Sequence, residues 1–254
     1  MGRALVSGLL RSGWIEPSEI AIAERYEAAR ADLQHRFPDV EVSGDVVPAG
    51  SAVLAVKPPD APEATEMMRK QGINRVVSIV AGVKISVLQF HLGESAVVLR
   101  AMPNLPAVVG AAASGLAGGP TATEEDYSWA EAVLSAFGVV ARVPEPLLDA
   151  VTGLSGSGPA YVLVLTEALI EAGVLQGLDR EVSRLLAIQT LLGTARMMSE
   201  LGDTAEDLRA RVTSPGGTTA AALRELERAG FRSAVVEAVA AATARSRELG
   251  QQTH

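Results

Sequence analysis

Residues Val212 to Thr219 read V-T-S-P-G-G-T-T and run into the helical stretch A-A-A-L-R-E-L-E. A proline and two glycines ahead of a helix leave several backbone N–H groups free and convergent. That geometry captures an anion such as a carboxylate. Ser214, Thr218 and Thr219 add neutral hydroxyls around it, and Gly216 and Gly217 let the chain turn tightly. A plain Ser/Thr helix cap would need neither glycine.

Three other segments fall at the ends of strand-like runs: A-V-K-P from Ala55 through Val56 and Lys57 to Pro58, S-I-V-A-G from Ser78 to Gly82, and R-A-M-P-N from Arg100 to Asn104. In a parallel sheet, ligands bind outside the carboxyl ends of the strands. A lysine held there by a following proline is poorly explained as sheet packing. The small residues around Ile79, Val80 and Ala81 let a flat ring approach the backbone. The run G-L-S-G-S-G-P-A-Y from Gly153 to Tyr161 suits a tight turn feeding a helix, either as an interdomain connection or as a ligand lining.

Competing chemistries find little support. The three histidines, His35, His91 and His254, sit in no motif, and no pair has metal-ligand spacing, so no metal is expected. The chain has no cysteine, which excludes disulfides, thiol catalysis and thiolate metal sites and is compatible with a cytoplasmic setting. No G-x-S-x-G elbow occurs, and the acidic residues are scattered along helix faces. Hydroxyls and backbone amides without a strong acid or base suit hydride transfer, in which a dinucleotide does the difficult chemistry. A net charge of −8 argues against nucleic acid or an anionic membrane as partner. No apolar stretch approaches ~18 uninterrupted residues, so no membrane span is expected.

These residues need a scaffold. Apolar runs at Ile20–Glu24, Ala52–Lys57, Arg75–Val80, Val97–Ala101 and Val139–Val143 predict buried strands. Amphipathic stretches at Arg3–Ser12, Tyr26–Phe37, Ala61–Gln71, Ile85–His91 and Glu124–Phe137 predict helices between them. Alternation of this kind implies an α/β domain with a mostly parallel sheet covered on both faces. After Pro144 and Pro146 only helical signals remain: Pro159–Glu171, a long helix capped by Asp179, a short one with capping-box spacing at Thr204 and Asp207, then Gly216–Arg228 and Phe231–Arg247. The expected division is therefore 1–145 and 146–254. Stretches such as V-L-V-L-T-E-A-L-I are apolar on more than one face and must bury more than a stripe. A helical domain this small does so against a copy of itself, or else as an alanine-rich monomeric bundle.

The chain opens at Met1-Gly2 already inside a helical pattern. A sheet of this type places a strand and a glycine-rich turn before its first helix, and Gly2 reads as the last glycine of a G-x-G-x-x-G fingerprint. Glu24 and Arg25 fall at the end of the next strand, where an adenosine ribose is read. Glu24 favours NAD through the ribose hydroxyls; Arg25 favours NADP through a 2′-phosphate. The plain alternative is that both simply begin a helix. The absent strand would be the central one, and its loss would leave unpaired edges on both neighbours. The favoured expectation is an upstream start supplying about a dozen further residues, the length of a strand and turn; the other is a real truncation with weak cofactor binding.

Taken together, A-V-K-P, S-I-V-A-G, R-A-M-P-N, L-S-G-S-G-P-A-Y and V-T-S-P-G-G-T-T resemble the pyrroline-5-carboxylate reductases in order and spacing along almost the entire chain. The resemblance implies a Rossmann-type domain lacking its first strand, followed by an all-helical domain that interlocks in a homodimer, with decamers in many members. It implies reduction of 1-pyrroline-5-carboxylate to L-proline by NADP or NAD in the reduced form. On it, Thr219 is the threonine that contacts the ring nitrogen. Ser214 and the amides around Gly216, Gly217 and Thr218 hold the carboxylate, with Glu200 near the substrate. Ala55, Val56, Lys57 and Pro58, with Ile79, Val80 and Ala81, line the nicotinamide half, while Gly2, Glu24 and Arg25 face the phosphates and adenosine. The sequence departs from the pattern at its start. It also departs in the short segment Ser43 to Gly50, which lacks an asparagine, and at Arg209 to Arg211, which replaces a Lys-Asp pair and its neighbour. A non-catalytic paralogue and a reductase for another small cyclic imine are the remaining readings.

Overall fold

The computed structural model describes residues 1–251; His254, expected at the surface or in packing, lies outside the described residues. The chain divides into two compact units, 1–157 with 240–254, and 158–239.

In the first unit, strands β1 (Ala21–Ala23) and β2 (Glu41–Ser43) pair in parallel, joined by helix α2 (Glu27–Arg36). A separate five-stranded sheet runs β3 (Ala52–Leu54), β4 (Arg75–Ser78), β5 (Val97–Met102), β6 (Ala112–Gly118) and β7 (Gly138–Arg142). Helices α3 (Ala61–Lys70) and α4 (Ile85–Leu92) connect its first three strands, and α5 (Glu124–Ser135) its last two. All neighbours are parallel except β5 and β6. Only a 3₁₀ turn at Leu105–Val109 and Gly110 at φ 76° link those two. That connection is too short for a crossover helix, so the strand must reverse.

Successive residues of the central strands point to opposite faces. Val76 and Val98 pack under α3 and α4 with Leu54, Met68 and Leu88. Val77 and Leu99 pack on the other face with Leu116, Leu134 and Phe137, and with Leu5 and Leu9 of helix α1 (Gly2–Ser12). The expectation of two unpaired edges is met. Among the described residues β1 pairs only with β2, and β3 only with β4. Ala21 and Ala23 are exposed, and Ala52 and Val53 half-buried, whereas Val76 and Val77 are 1% and 0% exposed. Helix α1 links the two sheets, because Ile20 beside β1 and Val53 of β3 both pack against its cluster.

Two strands escaped the sequence reading. β2 has three residues, and β6 reads A-A-S-G-L-A-G, with none of the β-branched residues that mark a strand. One glycine-rich segment also resolved differently. Helix α6 (Leu148–Val151) leads into a π-helical turn at Thr152–Gly156, so the glycines widen a continuing helix instead of breaking it.

The second unit holds helices α7 (Gly158–Leu175), α8 (Arg180–Leu201), α9 (Ala205–Arg211), α10 (Thr218–Arg228) and the first part, to residue 239, of α11 (Phe231–Gln251). Asp179 caps α8 by accepting from the amides of Glu181 and Val182, and Thr204 caps α9 through Asp207. Helix α7 has no buried residue, and Leu163, Val164 and Leu185 are more than half exposed. The run Glu145–Leu175, of mean hydropathy 1.5, is long and apolar enough by length and composition alone to cross a membrane. A count of uninterrupted apolar residues does not register it, because Glu167 and Glu171 break the run while the residues around them keep its mean high.

Candidate functional site

The first unit brings its expected residues to one edge. The Ile79 amide donates to the Leu54 carbonyl at 3.0 Å, which holds the end of β4 against the end of β3. The Val80 amide donates to the buried Ser78 hydroxyl at 3.2 Å, so the chain turns out of the sheet at once. Ala55, Val56, Lys57 and Ala81 are exposed beyond these strands. Pro58 opens a 3₁₀ turn to Asp60, closed by the Asp60 amide on the Lys57 carbonyl at 3.0 Å. Gly2 begins α1 beside them: a methyl group added there would touch Cβ of Ala55 at 3.4 Å.

Glu24 and Arg25 lie at the end of β1. One Glu24 carboxylate oxygen accepts from the Tyr26 amide at 3.0 Å. Arg30 donates to the carbonyls of Glu24 and Arg25 at 3.0 and 2.8 Å, which fixes the strand-to-helix turn. The Arg25 guanidinium donates to Asp60 at 2.7 Å and to the Tyr26 hydroxyl at 2.9 Å, with Glu63 at 3.7 Å. Hydrogen bonds to Asp60 and then Tyr26 raise the Arg25 pKa above its ordinary value. Asp60, Glu63 and Tyr26 were not singled out in the sequence. A pair 35 residues apart leaves no local signal.

Two residues of R-A-M-P-N are already satisfied within the fold. Arg100 donates to Glu145 at 3.2 Å, and Glu145 also accepts from the Ile85 amide at 2.8 Å. Asn104, 7% exposed, donates to the Ser155 carbonyl and accepts from the Ala113 amide, both at 2.9 Å. It therefore pins the π-helical turn to β6.

In the second unit, Ser214 to Thr219 form the turn ahead of α10. Gly216 has φ 70°, a left-handed conformation that costs a residue with a side chain roughly 1–2 kcal/mol. The Gly217 amide donates to the Ser214 carbonyl at 3.0 Å. Gly217 is the N-cap of α10, and no side chain caps that helix. Ser214 thus leaves the first-turn amides of α10 open, unlike Thr204 or Asp179 at their own helices. A methyl group on Gly217 would collide with Ser214 Oγ. Thr219 is half-buried and Ser214 and Thr218 exposed. Glu200 stands exposed in the last turn of α8. Arg211, one of the departures from the family pattern, forms a forked pair with Asp203 at 2.8 and 2.9 Å.

The edge of the first unit fits a dinucleotide in chemistry. A carboxylate and a guanidinium stand at the ribose end, and small exposed residues at the other. The first turn of α1 is uncapped, with Gly2 close against Ala55. Among the described residues no group of three side chains could hold a metal ion.

Residues 145–249 match the family described as pyrroline-5-carboxylate reductase dimerisation, and residues 1–82 that described as NADP oxidoreductase, coenzyme F420-dependent. The pyrroline-5-carboxylate reductase of Methanosarcina acetivorans is 42% identical over 258 residues, covering 99% of this chain and 95% of that one. A solved pyrroline-5-carboxylate reductase from Coxiella burnetii superposes with a TM-score of 0.92 at 35% identity, over 98% of this chain and 94% of its own. The Plasmodium falciparum enzyme, solved with NADP bound, gives 0.82 at 27% identity over the same shares.

Proposed function

The chain belongs to the pyrroline-5-carboxylate reductase family, and from that premise we propose how its residues carry the reaction. It is an NAD(P)H-dependent oxidoreductase that reduces 1-pyrroline-5-carboxylate to L-proline, the last step of proline synthesis. The bound dinucleotide supplies the hydride. The imine carbon receives it, the C=N electron pair moves onto the ring nitrogen, and that nitrogen carries or takes up one proton from water to give the amine.

The single observation that carries the residue assignment is the open N-terminus of α10 behind T-S-P-G-G-T-T. Amides around Gly216, Gly217 and Thr218, of which that of Gly217 also donates to the Ser214 carbonyl, hold the substrate carboxylate together with the Ser214 hydroxyl. The Thr219 hydroxyl hydrogen-bonds the ring nitrogen, first as imine and then as amine. Glu200 borders the substrate. Ala55 to Pro58 and Ile79 to Ala81 flank the nicotinamide, and Gly2, Glu24 and Arg25 the phosphates and adenosine. The division of labour falls at residues 145 and 146: dinucleotide before, substrate and dimerisation after.

The exposed apolar surface of α7 and α8 supports a homodimer as its cover, rather than a membrane. The decamer is the larger assembly this reading allows. The partners are a small-molecule substrate and a second copy, with no nucleic acid. The setting is the cytoplasm, where reduced dinucleotide is regenerated.

The test is nucleotide oxidation by the purified chain. We expect turnover with pyrroline-5-carboxylate to exceed that with its six-membered homologue, on particles of at least twice the single-chain mass by light scattering. A preference for the homologue, or no turnover with either, overturns the substrate assignment. Folded monomers overturn the dimer.

A further inference from the structure

The corner at the end of β1 holds more acid than base. Glu24, Asp60 and Glu63 face Arg25 and Arg30 there, and Arg30 is committed to the backbone carbonyls of the turn. Arg25 is therefore the one guanidinium of this corner whose partners are side chains: Asp60 at 2.7 Å, Tyr26 at 2.9 Å and Glu63 at 3.7 Å. It lies over the Tyr26 ring, 4.9 Å from the centroid.

Asp60 arrives because Pro58 opens the 3₁₀ turn after β3, and Glu63 follows in the first turn of α3. The two carboxylates thus reach Arg25 from a different strand end. The Arg25 side chain is 49% exposed and that of Asp60 31%. An ion pair this exposed is weak, and a doubly charged phosphate competes for it directly. A phosphate that wins Arg25 is left beside two unpaired carboxylates, which repel it. A ribose bearing only hydroxyls meets no such penalty, and Glu24 keeps one carboxylate oxygen for it.

We propose that Asp60 and Glu63 set the nucleotide preference of this chain by competing with the 2′-phosphate of NADP for the Arg25 guanidinium. This rests on the reading that the strand-end edge holds a dinucleotide. The two carboxylates are positioning residues: they act through Arg25 and touch neither the reacting atoms nor the ribose. With both in place the 2′-phosphate gains little from Arg25, and the chain accepts both nucleotides. Removing them turns the corner into an NADP site.

The experiment isolates the corner with fragments, by calorimetric titration of the full chain with adenosine 2′,5′-bisphosphate and with AMP. Asp60→Asn is expected to tighten the bisphosphate about threefold to fivefold, the scale of one exposed charge pair, with AMP moving less than about twofold. Adding Glu63→Gln extends the gain, and Asp60→Glu returns it toward the starting value. Arg25→Ala abolishes the difference between the fragments. The gain shrinks in high salt, as exposed charges are screened. A bisphosphate affinity that is unchanged or weaker in Asp60→Asn, or an equal gain for AMP, overturns the proposal while leaving the dinucleotide reading intact. No binding of either fragment to any variant overturns both. KM for NADPH against NADH in the Asp60 and Glu63 variants supplies the kinetic counterpart.

Discussion

The turn at the start of α10 and the corner at the end of β1 present their hydrogen-bond donors in opposite ways. Ahead of α10 the donors are backbone amides, no side chain caps them, and Ser214 stands aside. At the end of β1 the donor is one long side chain, and carboxylates from another strand already hold it. Amides at a helix start are fixed by the helix itself, so they cost nothing to organise. A guanidinium is mobile and is shared between whatever anions come near. The first arrangement suits firm recognition of a carboxylate; the second suits a preference that neighbouring acids can tune.

That contrast breaks first at Thr219. Thr219→Ala is expected to lower turnover tenfold or more, if the lost hydrogen bond is worth ~1.5 kcal/mol or above. Steady-state rates with saturating pyrroline-5-carboxylate measure it, and an unchanged kcat removes Thr219 from the chemistry. Gly217→Ala comes next. Its methyl group meets Ser214 Oγ, so the turn must shift and the carboxylate seat with it. KM for the substrate should rise about threefold to tenfold, the scale of one hydrogen bond, with the nucleotide KM unmoved. A change confined to the nucleotide would separate the turn from substrate binding.

A side-chain cap offers the control. The amide and hydroxyl of Thr123 donate to Asp126 at 2.9 and 2.7 Å at the start of α5, and Arg75 lies at 3.7 Å. Burial alone would raise the Asp126 pKa, but those hydrogen bonds and Arg75 hold it below its ordinary value near 3.8. A carboxylate depressed on folding adds stability that is complete above its unfolded pKa and is lost as pH falls through the folded one. Thermal melts should therefore show Asp126→Asn costing about 1 kcal/mol at neutral pH and almost nothing once the wild-type carboxyl is protonated, well below pH 3.8. Substrate KM should stay put. An equal cost at both pH values would mean that packing, not charge, holds the cap.

Much of this was legible in order along the chain. Strand and helix positions in the first half, the capping of α8 and α9, and the glycine turn before α10 all follow from local periodicity and turn chemistry. So does the division of the sheet: Met1 and Gly2 lie inside a helix pattern, and among the described residues β1 and β3 each keep an unpaired edge as that pattern predicts. What stayed hidden was non-local or chemically quiet. The strand A-A-S-G-L-A-G carries small residues whose strand character comes only from the neighbours that pair with it. Arg100 and Asn104 looked free to bind a ligand, but Glu145 and the Ser155 carbonyl claim them from far along the chain.

The sequence by itself determined which elements form and which residues bring hydroxyls, amides and charge to their ends. Helix periods, caps and turns draw their energy from residues within a few positions of each other. Tertiary structure alone decided which of those groups remain available. Arg25 meets Asp60, and Asn104 meets Ser155, only when separate strands and helices stack. The open amides of α10 are therefore predictable from the turn that makes them, while the occupied guanidinium of Arg25 is not.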